Sequence, residues 1–254
     1  MLIILALLGC VLLVSFASSV NAAAQVTILS HSGYIGSLGW YYVAGEVQNS
    51  GDMHLKYVEI TATFYDSYDV VVDTSFTFAD LNVLLVGRKS PFKLSLFDTE
   101  QSAKVDHYSL DVTYDIFELG KPQGLEILSS SSYVDTLGWM HVVGEIKNIG
   151  VYPTTYVEVI ATFYDNTGKV VGCGFTFSNP SDFEADQKAS FEIILMSDRV
   201  PLVDSYEITA ESDQYAVVPE FPSLLILPLF MIATLLAVMI YKRKHQTRNK
   251  KREG

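Results

Sequence analysis

Cysteine is nearly absent from this chain, which has only two in 254 residues. Cys10 lies in an apolar N-terminal segment, so Cys173 is the only thiol in the rest of the sequence. A single thiol cannot form an internal bridge, and this excludes a small scaffold held together by disulfides. We expect Cys173 to be a small buried or strand-edge residue, with an intermolecular disulfide as the alternative.

Motifs for catalysis and cofactor binding are missing as well. The sequence contains no His-x-x-x-His or Cys-x-x-Cys pair, no Gly-rich phosphate loop and no nucleophile elbow. The short run Ser129–Ser132 is more typical of a solvated turn between strands than of a nucleophile. We therefore expect a protein that is not an enzyme and that carries no cofactor.

Two groups of carboxylates are close enough in sequence to hold Ca²⁺ between loops. They are Asp66 with Asp69, and Asp182 with Glu184 and Asp186. Neither spacing matches a known calcium-binding loop, so no metal site is assigned.

Basic residues are scarce in the long central part of the chain. Residues 25–220 hold 28 of the 29 acidic side chains but only 10 of the 17 basic ones. Such an acidic surface repels a phosphate backbone, which argues against nucleic acid as a partner.

The sequence contains two similar repeats. Many residues of the first half recur at an offset of 99 residues, the distance from Trp40 to Trp139. A period of this length suits an independent small domain rather than a solenoid unit. We expect one domain over residues 25–122 and a second over 123–217. The shared signature consists of Trp40, Gly45, Asn49, Phe64, Tyr65 and Asp66 in the first copy and Trp139, Gly144, Asn148, Phe163, Tyr164 and Asp165 in the second.

Period-two alternation dominates both copies, and no helical period is found outside the two ends. Residues 58–64 and 157–163 place apolar side chains on every second position, as a half-buried strand requires. Roughly seven short strands per copy, separated by Asn, Asp and Gly turns, predict an all-β fold of two tandem immunoglobulin-like antiparallel β-sandwiches. A β-barrel is the alternative.

The signature residues have ordinary structural interpretations. Repetition of Trp40 and Trp139 favours core positions over ligand-stacking platforms. Tyr65 and Tyr164 alternate with inward-facing phenylalanines, which places them on the opposite sheet face or at its rim. Asp66 and its counterpart follow at a turn, where a carboxylate can accept hydrogen bonds from backbone N–H groups.

Segments 45–51 and 58–66, and their counterparts in the second copy, resemble an FxLYD domain, a prokaryotic module of exported and membrane-anchored proteins. The resemblance covers most of both repeats and implies a β-sandwich without an active site. The name-giving positions differ, with Ala62 and Ala161 for Phe and Phe64 and Phe163 for Leu. Exchanging a large and a small side chain in this way conserves core volume.

The two ends predict export and anchoring. Residues 1–24 are typical of a secretory signal peptide, although no basic residue precedes the apolar run, and an uncleaved anchor is the alternative. Residues 223–241 are 19 uncharged residues, enough for a transmembrane helix of about 28 Å. Seven basic residues within 242–254 predict a cytoplasmic tail. The repeats would then lie outside the cell, on a single-pass protein of the cell membrane.

Residues 218–222 form a Pro-rich spacer that contains Pro219, Glu220 and Phe221. This spacer, followed by an apolar span and basic residues, resembles the PEF-type sorting tail of archaeal surface proteins. The resemblance implies cleavage by an archaeosortase and exchange of the helix for a lipid anchor. A retained helix behind a stiff proline spacer is the alternative.

Two functions follow from these features. The first is a non-enzymatic surface protein whose paired modules act in adhesion, envelope structure or contacts with other envelope proteins. The second is a ligand-binding or sensory ectodomain that holds an unknown peptide, sugar or Ca²⁺ between its modules.

Overall fold

The computed structural model describes residues 25–218, and strands carry almost all of their regular structure. The first repeat contains β1 (Val26–Ile35), β2 (Tyr41–Asn49), β3 (Leu55–Tyr65), β4 (Val71–Phe78), β5 (Val83–Leu84), β6 (Lys89–Leu96) and β7 (His107–Ile116). The second contains β8 (Gln123–Val134), β9 (Met140–Asn148), β10 (Glu158–Tyr164), β11 (Val170–Phe177), β12 (Lys188–Leu195), β13 (Ser205–Glu211) and β14 (Ala216–Val217). One short helix, α1 (Thr99–Ser102), and a 3₁₀ turn (Val200–Leu202) complete the elements. The prediction of an all-β fold is confirmed.

Each repeat has two layers of strands, and the strand order is the same in both repeats. In the first repeat, β1-β2-β6 form one antiparallel sheet, while β4, β3 and β7 form the other, with β5 paired to the start of β3. In the second repeat, β8-β9-β12 and β11-β10-β13 correspond to them. Here β14 pairs with both β13 and β8 and joins the strands into one seven-stranded sheet.

The two sheets of each repeat pack face to face because their inward residues alternate as predicted. Along β3, Ile60, Ala62 and Phe64 are fully buried, whereas the residues between them are partly exposed. Phe64 meets Phe92 and Leu94 of the facing sheet in one apolar cluster. The second repeat repeats this core with its own set, which includes Val159, Ala161, Phe163, Phe191 and Ile193.

Two signature glycines are explained by the crowding at the centre of each sandwich. A Cβ at Gly45 would lie 2.9 Å from the backbone oxygen of Ser30, at the bulge of β1, and closer still to the Phe92 ring. Gly144 has the same relation to Phe191 and to the bulge of β8. Only glycine lets the facing phenylalanine cross the strand at this distance.

The predicted core position is wrong for Trp139, whose side chain is 36% exposed. Trp40 is also partly exposed, and it packs edge-on against Phe97 with ring centroids 4.9 Å apart. The inward positions belong instead to the residues that follow, Tyr41 and Met140, which are buried. Because successive side chains of a strand point to opposite faces, the tryptophans lie outside the cores.

The interpretation of Ser129–Ser132 as a turn is also wrong. These serines lie inside β8, where Ser129 and Ser131 pair with Glu145 and Val143 of β9. All four serines are exposed, and without apolar residues on an inward face this part of β8 has no alternating pattern that predicts a strand.

Each repeat has two outer sheet surfaces, a front face and a back face. The front face is the outer surface of β1-β2-β6 in the first repeat and of β8-β9-β12 in the second. The back face is the outer surface of β3, β4 and β7 in the first repeat and of β10, β11 and β13 in the second.

The front face of the first repeat packs against the back face of the second, and the chain up to Val217 is one compact unit. Whether residues 25–122 and 123–217 fold independently therefore stays a prediction. No helix within residues 25–218 has the length and apolarity to cross a bilayer. The predicted signal peptide (1–24), sorting motif, membrane helix (223–241) and basic tail (242–254) lie outside the described residues.

Candidate functional site between the repeats

The edge strand β11 is held by two serines of the other repeat. The backbone N–H of Val170 donates to Ser30 Oγ at 2.9 Å, and Ser32 Oγ donates to the Val170 carbonyl at 2.6 Å. An edge strand leaves such backbone groups without a partner in its own sheet, and burying them unpaired would be costly. The two serines therefore bind β11 as a neighbouring strand would.

A charged network lies beside this strand. The Tyr164 hydroxyl donates to Glu46 Oε1 at 2.5 Å, and the Lys89 ammonium lies 3.6 Å from Glu46 and 2.7 Å from Glu207. Glu46 is only 3% exposed. Burial raises the pKa of Glu46, opposed by the hydrogen bond from Tyr164 and by the charge of Lys89. Burial and the neighbouring carboxylates raise the pKa of Tyr164, which keeps its hydroxyl protonated as a donor.

Apolar contacts cross the same boundary. Ala44 of the first repeat forms a buried cluster with Tyr164 and Val170 of the second. Ile160 is fully buried and belongs to the cluster that forms the core of the first repeat. The boundary is thus packed in the manner of a protein interior.

Cys173 is buried on β11 in this interface, as a strand-edge interpretation predicts. Burial, with help from the nearby Asp80 carboxylate, raises its pKa well above the ordinary value. A buried, protonated thiol is a poor nucleophile, so its place here is structural.

The junction between the two repeats is part of the interface too. Lys121 Nζ donates to Glu211 at 2.7 Å and to the Ser212 carbonyl at 2.8 Å, and the backbone N–H of Asn82 donates to the same glutamate. Arg88 reaches Thr209 Oγ1 at 2.8 Å. Lys121 and Arg88 are therefore both held by acceptors of the second repeat.

A groove of about 620 Å³ opens at this end of the boundary. Its lining combines the aromatic rings of Phe117, Tyr156 and Phe177 with Lys121 and Glu158. Burial and the charge of Glu211 raise the pKa of Glu158 to about 7, with Lys121 opposing. The lining can hold an apolar or weakly cationic group.

Asp80 is a second carboxyl group with an unusual pKa. Burial and the charge of Glu158 raise its pKa to about 7, while Lys93 and Cys173 act in the opposite direction. The charge of Glu158 on the second repeat therefore raises the pKa of a carboxyl group on the first.

The remaining signature residues fix loops. Asn49 is fully buried, its Nδ2 donates to the carbonyls of Met53 and Leu84, and its Oδ1 accepts from the Gly51 N–H. Asn148 makes the corresponding bonds in the second repeat. Asp66 Oδ1 accepts from two backbone N–H groups of its turn, and Asp165 does the same, which confirms the predicted turn role.

The histidines make separate local contacts. His31 bonds to Tyr108 at 2.7 Å, and His107 stacks on Tyr65. His141 lies 2.8 Å from Glu192 and 3.2 Å from Asp135, and these two hydrogen bonds raise its pKa.

The candidate calcium ligands are used elsewhere. Asp69 lies 3.3 Å from His107, Asp182 accepts from the Tyr156 N–H, and Asp186 is paired with Lys147 at 3.0 Å. Within residues 25–218, no group of three or more His, Cys, Asp or Glu side chains is arranged to hold a metal ion.

Sequence reasoning missed the polar residues that join the repeats. Glu46 and its counterpart were visible as a repeated Gly-Glu pair, and this was the one available signal. Ser30, Ser32 and Lys89 also recur at the same offset, but nothing local separates them from ordinary surface residues.

Comparison with solved structures finds only remote likeness. The matches include an exo-chitosanase of Amycolatopsis orientalis (TM-score 0.28, 11% identity, 69% of this chain and 25% of the other). Red sea bream transglutaminase (TM-score 0.26, 11% identity, 78% of this chain and 31% of the other) is also among them. The chain thus spans about a quarter to a third of the length of these proteins, and the likeness says nothing about its function.

No family model matches the sequence. An uncharacterized protein of the archaeon Methanocaldococcus jannaschii is 36% identical over 99 residues, which is 39% of this chain and 71% of the relative. The length of the matched segment equals the offset between Trp40 and Trp139. The chain therefore belongs to the same family as this archaeal protein.

Proposed function

We propose that the chain is a non-enzymatic cell-surface protein whose two modules act as one body in contacts with other envelope proteins. The observation that carries the proposal is the use of the buried polar groups. Tyr164, Glu46, Glu211 and Lys121 are all engaged in joining the repeats. Side chains that could otherwise act in catalysis thus stabilise the contact between the repeats.

The proposal includes the finer fold. Each repeat is an immunoglobulin-like sandwich of the FxLYD type. The pairing of β1-β2-β6 against β4-β3-β7 supports this, because it has the layered antiparallel order of that class.

The proposal also includes the location. Residues 1–24 direct export, and residues 223–241 either span the membrane or are exchanged for a lipid after archaeosortase cleavage near Pro219, Glu220 and Phe221. Residues 242–254 face the cytoplasm before any cleavage. Mass spectrometry of the native protein tests this, because it reports both terminal cleavages and any attached lipid. A mature chain that keeps residues 1–24 and carries neither a span nor a lipid in the membrane fraction would contradict it.

Ligand binding in the groove is the second candidate function. Three aromatic rings and two charged groups line it, a combination that many small-ligand sites share. A ligand that binds the folded chain and not the unfolded chain raises its melting temperature.

A thermal-shift panel of Ca²⁺, glycans and peptides with the full chain separates the two functions. The surface-contact proposal expects no stabilisation by any of these compounds, together with cross-links to envelope proteins in intact cells. A saturable shift that Phe177→Ala abolishes would favour the groove instead. Phe78→Ala, at the counterpart position on the first repeat, is the matched control, since Phe78 does not line the groove.

A further inference from the structure

The interface between the repeats joins two different faces, and this leaves one copy of each face free. The front face of the first repeat is covered by the back face of the second. The front face of the second repeat and the back face of the first are uncovered. Because the contact joins unlike faces, each added copy again leaves one front face and one back face free. The same contact can therefore continue from one molecule to the next.

The free faces keep the residues that make the internal contact. Glu145 stands at the position of Glu46, and Tyr65 at that of Tyr164. They also occupy the same register, since Glu145 pairs with Ser129 as Glu46 pairs with Ser30. The hydrogen bond from tyrosine to glutamate can thus form again between Tyr65 of one copy and Glu145 of the next.

The serine clamp on the edge strand is retained as well. Ser129 and Ser131 stand where Ser30 and Ser32 stand, and Val71 takes the place of Val170 directly after the β-bulge. Lys188 replaces Lys89 and lies 3.5 Å from Glu145, close to the 3.6 Å between Lys89 and Glu46.

Glu145 and Val71 are exposed, whereas their counterparts are covered. The side chain of Glu145 is 53% exposed, compared with 4% for Glu46. Val71 is 55% exposed, compared with 0% for Val170. Apolar side chains accompany them on both free faces, with Phe76 61% and Ile194 38% exposed. Exposed apolar residues around an unpaired polar pattern are typical of a surface with a partner.

We propose that the partner is a second copy of this chain, which docks the front face of its second repeat on the back face of the first repeat of its neighbour. The assembly is an open, head-to-tail chain of molecules. This inference rests on the proposed function, of which it names the partner.

Some positions make the contact between copies weaker than the internal one. Glu192 stands at the position of the cation Lys93, and the opposing back face carries Glu59 and Asp111. Thr61 replaces the buried Ile160. Like charges and a smaller apolar contact lower the affinity without changing the geometry. Anchoring in a common envelope offsets this by raising the local concentration of copies.

Cross-linking in cells that express the full chain tests the assembly. Val71→Cys and Ser129→Cys are introduced together, in a background of Cys10→Ala and Cys173→Thr, the latter being the residue of the first repeat. A short thiol cross-linker should give a ladder of dimers, trimers and larger species. Two single variants expressed together should give only one mixed dimer. The control pair, Leu119→Cys with Ser129→Cys, should give none, because Leu119 is 90% exposed but lies on neither face.

A variant that strengthens the contact controls for cross-linking lost through misfolding. Glu192→Lys restores the cation of the internal interface and should raise the yield of the ladder at least about threefold, since it replaces repulsion by attraction to the acidic back face. Glu145→Arg should abolish the ladder while leaving the melting temperature unchanged.

Three results would overturn the inference: no ladder, equal self-linking of either single variant, or no gain with Glu192→Lys. If the cysteines link only to other envelope proteins, the inference fails and the proposed function stands. If neither face links to any protein, the proposed function fails as well.

Discussion

Tyr164 and Tyr65 follow the same three residues, Ala-Thr-Phe, yet they have different surroundings. Tyr164 is 8% exposed and bonds to a buried glutamate, whereas Tyr65 is half-buried and reaches Ser109 Oγ only at 3.4 Å. The local sequence determines which face the ring occupies. The presence of the other repeat determines whether that face is buried.

Removing the Tyr164 hydroxyl tests how much this contact contributes to the free energy of unfolding. Tyr164→Phe should lower the free energy of unfolding by about 1–3 kcal/mol, because Glu46 loses a donor in a buried site. Tyr65→Phe is the matched control and should change it by less than about 0.5 kcal/mol, as an exposed polar contact usually does. Urea unfolding of the full chain measures both. Equal effects of the two variants would contradict the assigned role.

The buried signature asparagines carry a second prediction at this scale. Asn148→Ala should cost about 1–3 kcal/mol, since it orphans the carbonyl of Tyr152 and removes one of two partners from the Phe183 carbonyl and from the Gly150 N–H. Asn166→Ala, in an exposed turn, should be nearly neutral. A neutral Asn148→Ala would show that water replaces the side chain.

Side-chain direction was predictable from period two, but side-chain burial was not. The alternation of Phe163 and Tyr164 was assigned correctly from the sequence. Trp139 was predicted to lie in the core because large repeated aromatic residues usually do. It directly precedes β9, and Met140, the first residue of that strand, takes the inward position instead. Burial depends on what covers a face, which no local pattern reports.

At the scale of elements, strands with one buried face were recognised and the others were not. β3, β6 and β10 alternate clearly, so their sequences predicted them. β8 carries serines on its outer face and was partly taken for a turn. The edge strand β11 contains two glycines, at Gly172 and Gly174, and its role in joining the repeats has no local signature.

The loop after β4 gives a pH-dependent prediction. The pKa of Asp80 rises from 3.8 to about 7, and that of Glu158 on β10 from 4.5 to about 7. The folded chain therefore binds more protons than the unfolded chain between about pH 4.5 and 7, so these groups make it more stable as the pH falls through that window. Asp80→Asn should weaken this dependence and stabilise the chain at pH 8. Asn179 already occupies the counterpart position in the second repeat, which makes the substitution mild.

Urea unfolding of both proteins at pH 8 and pH 5.5 measures this difference. Comparing the variant with the parent cancels other titrating groups, such as His31 and His141, whose pKa values shift in opposite directions. An unchanged pH dependence in Asp80→Asn would show that this carboxyl group is solvated.

At the scale of the whole molecule, the second repeat depends on the first. Separation would expose Ile160, Val170 and Cys173 of the second repeat, all of which are now buried. We expect residues 123–218 alone to fold, with a melting temperature below that of the full chain. Residues 25–122 added in trans should raise it in a saturable way. A fragment that melts at the same temperature with or without the first repeat would contradict a shared interface.

Duplication, strand content and the absence of catalytic motifs could be deduced from the sequence, but the joining of the repeats could not. Its contacts connect residues more than a hundred positions apart, such as Glu46 with Tyr164 and Ser32 with Val170. Each member has a near-identical counterpart that makes no such contact. Only the relative placement of two similar bodies distinguishes them.

Amide hydrogen exchange at Val170 tests the central claim, that the repeats are joined front face to back face. Its N–H donates to Ser30 Oγ of the other repeat, while Val71 holds the same position without such a neighbour in a single molecule. At concentrations where the chain is monomeric, we predict strong protection of the Val170 amide, fast exchange at Val71, and loss of the Val170 protection in Ser30→Ala. Equally fast exchange at both valines would contradict the account.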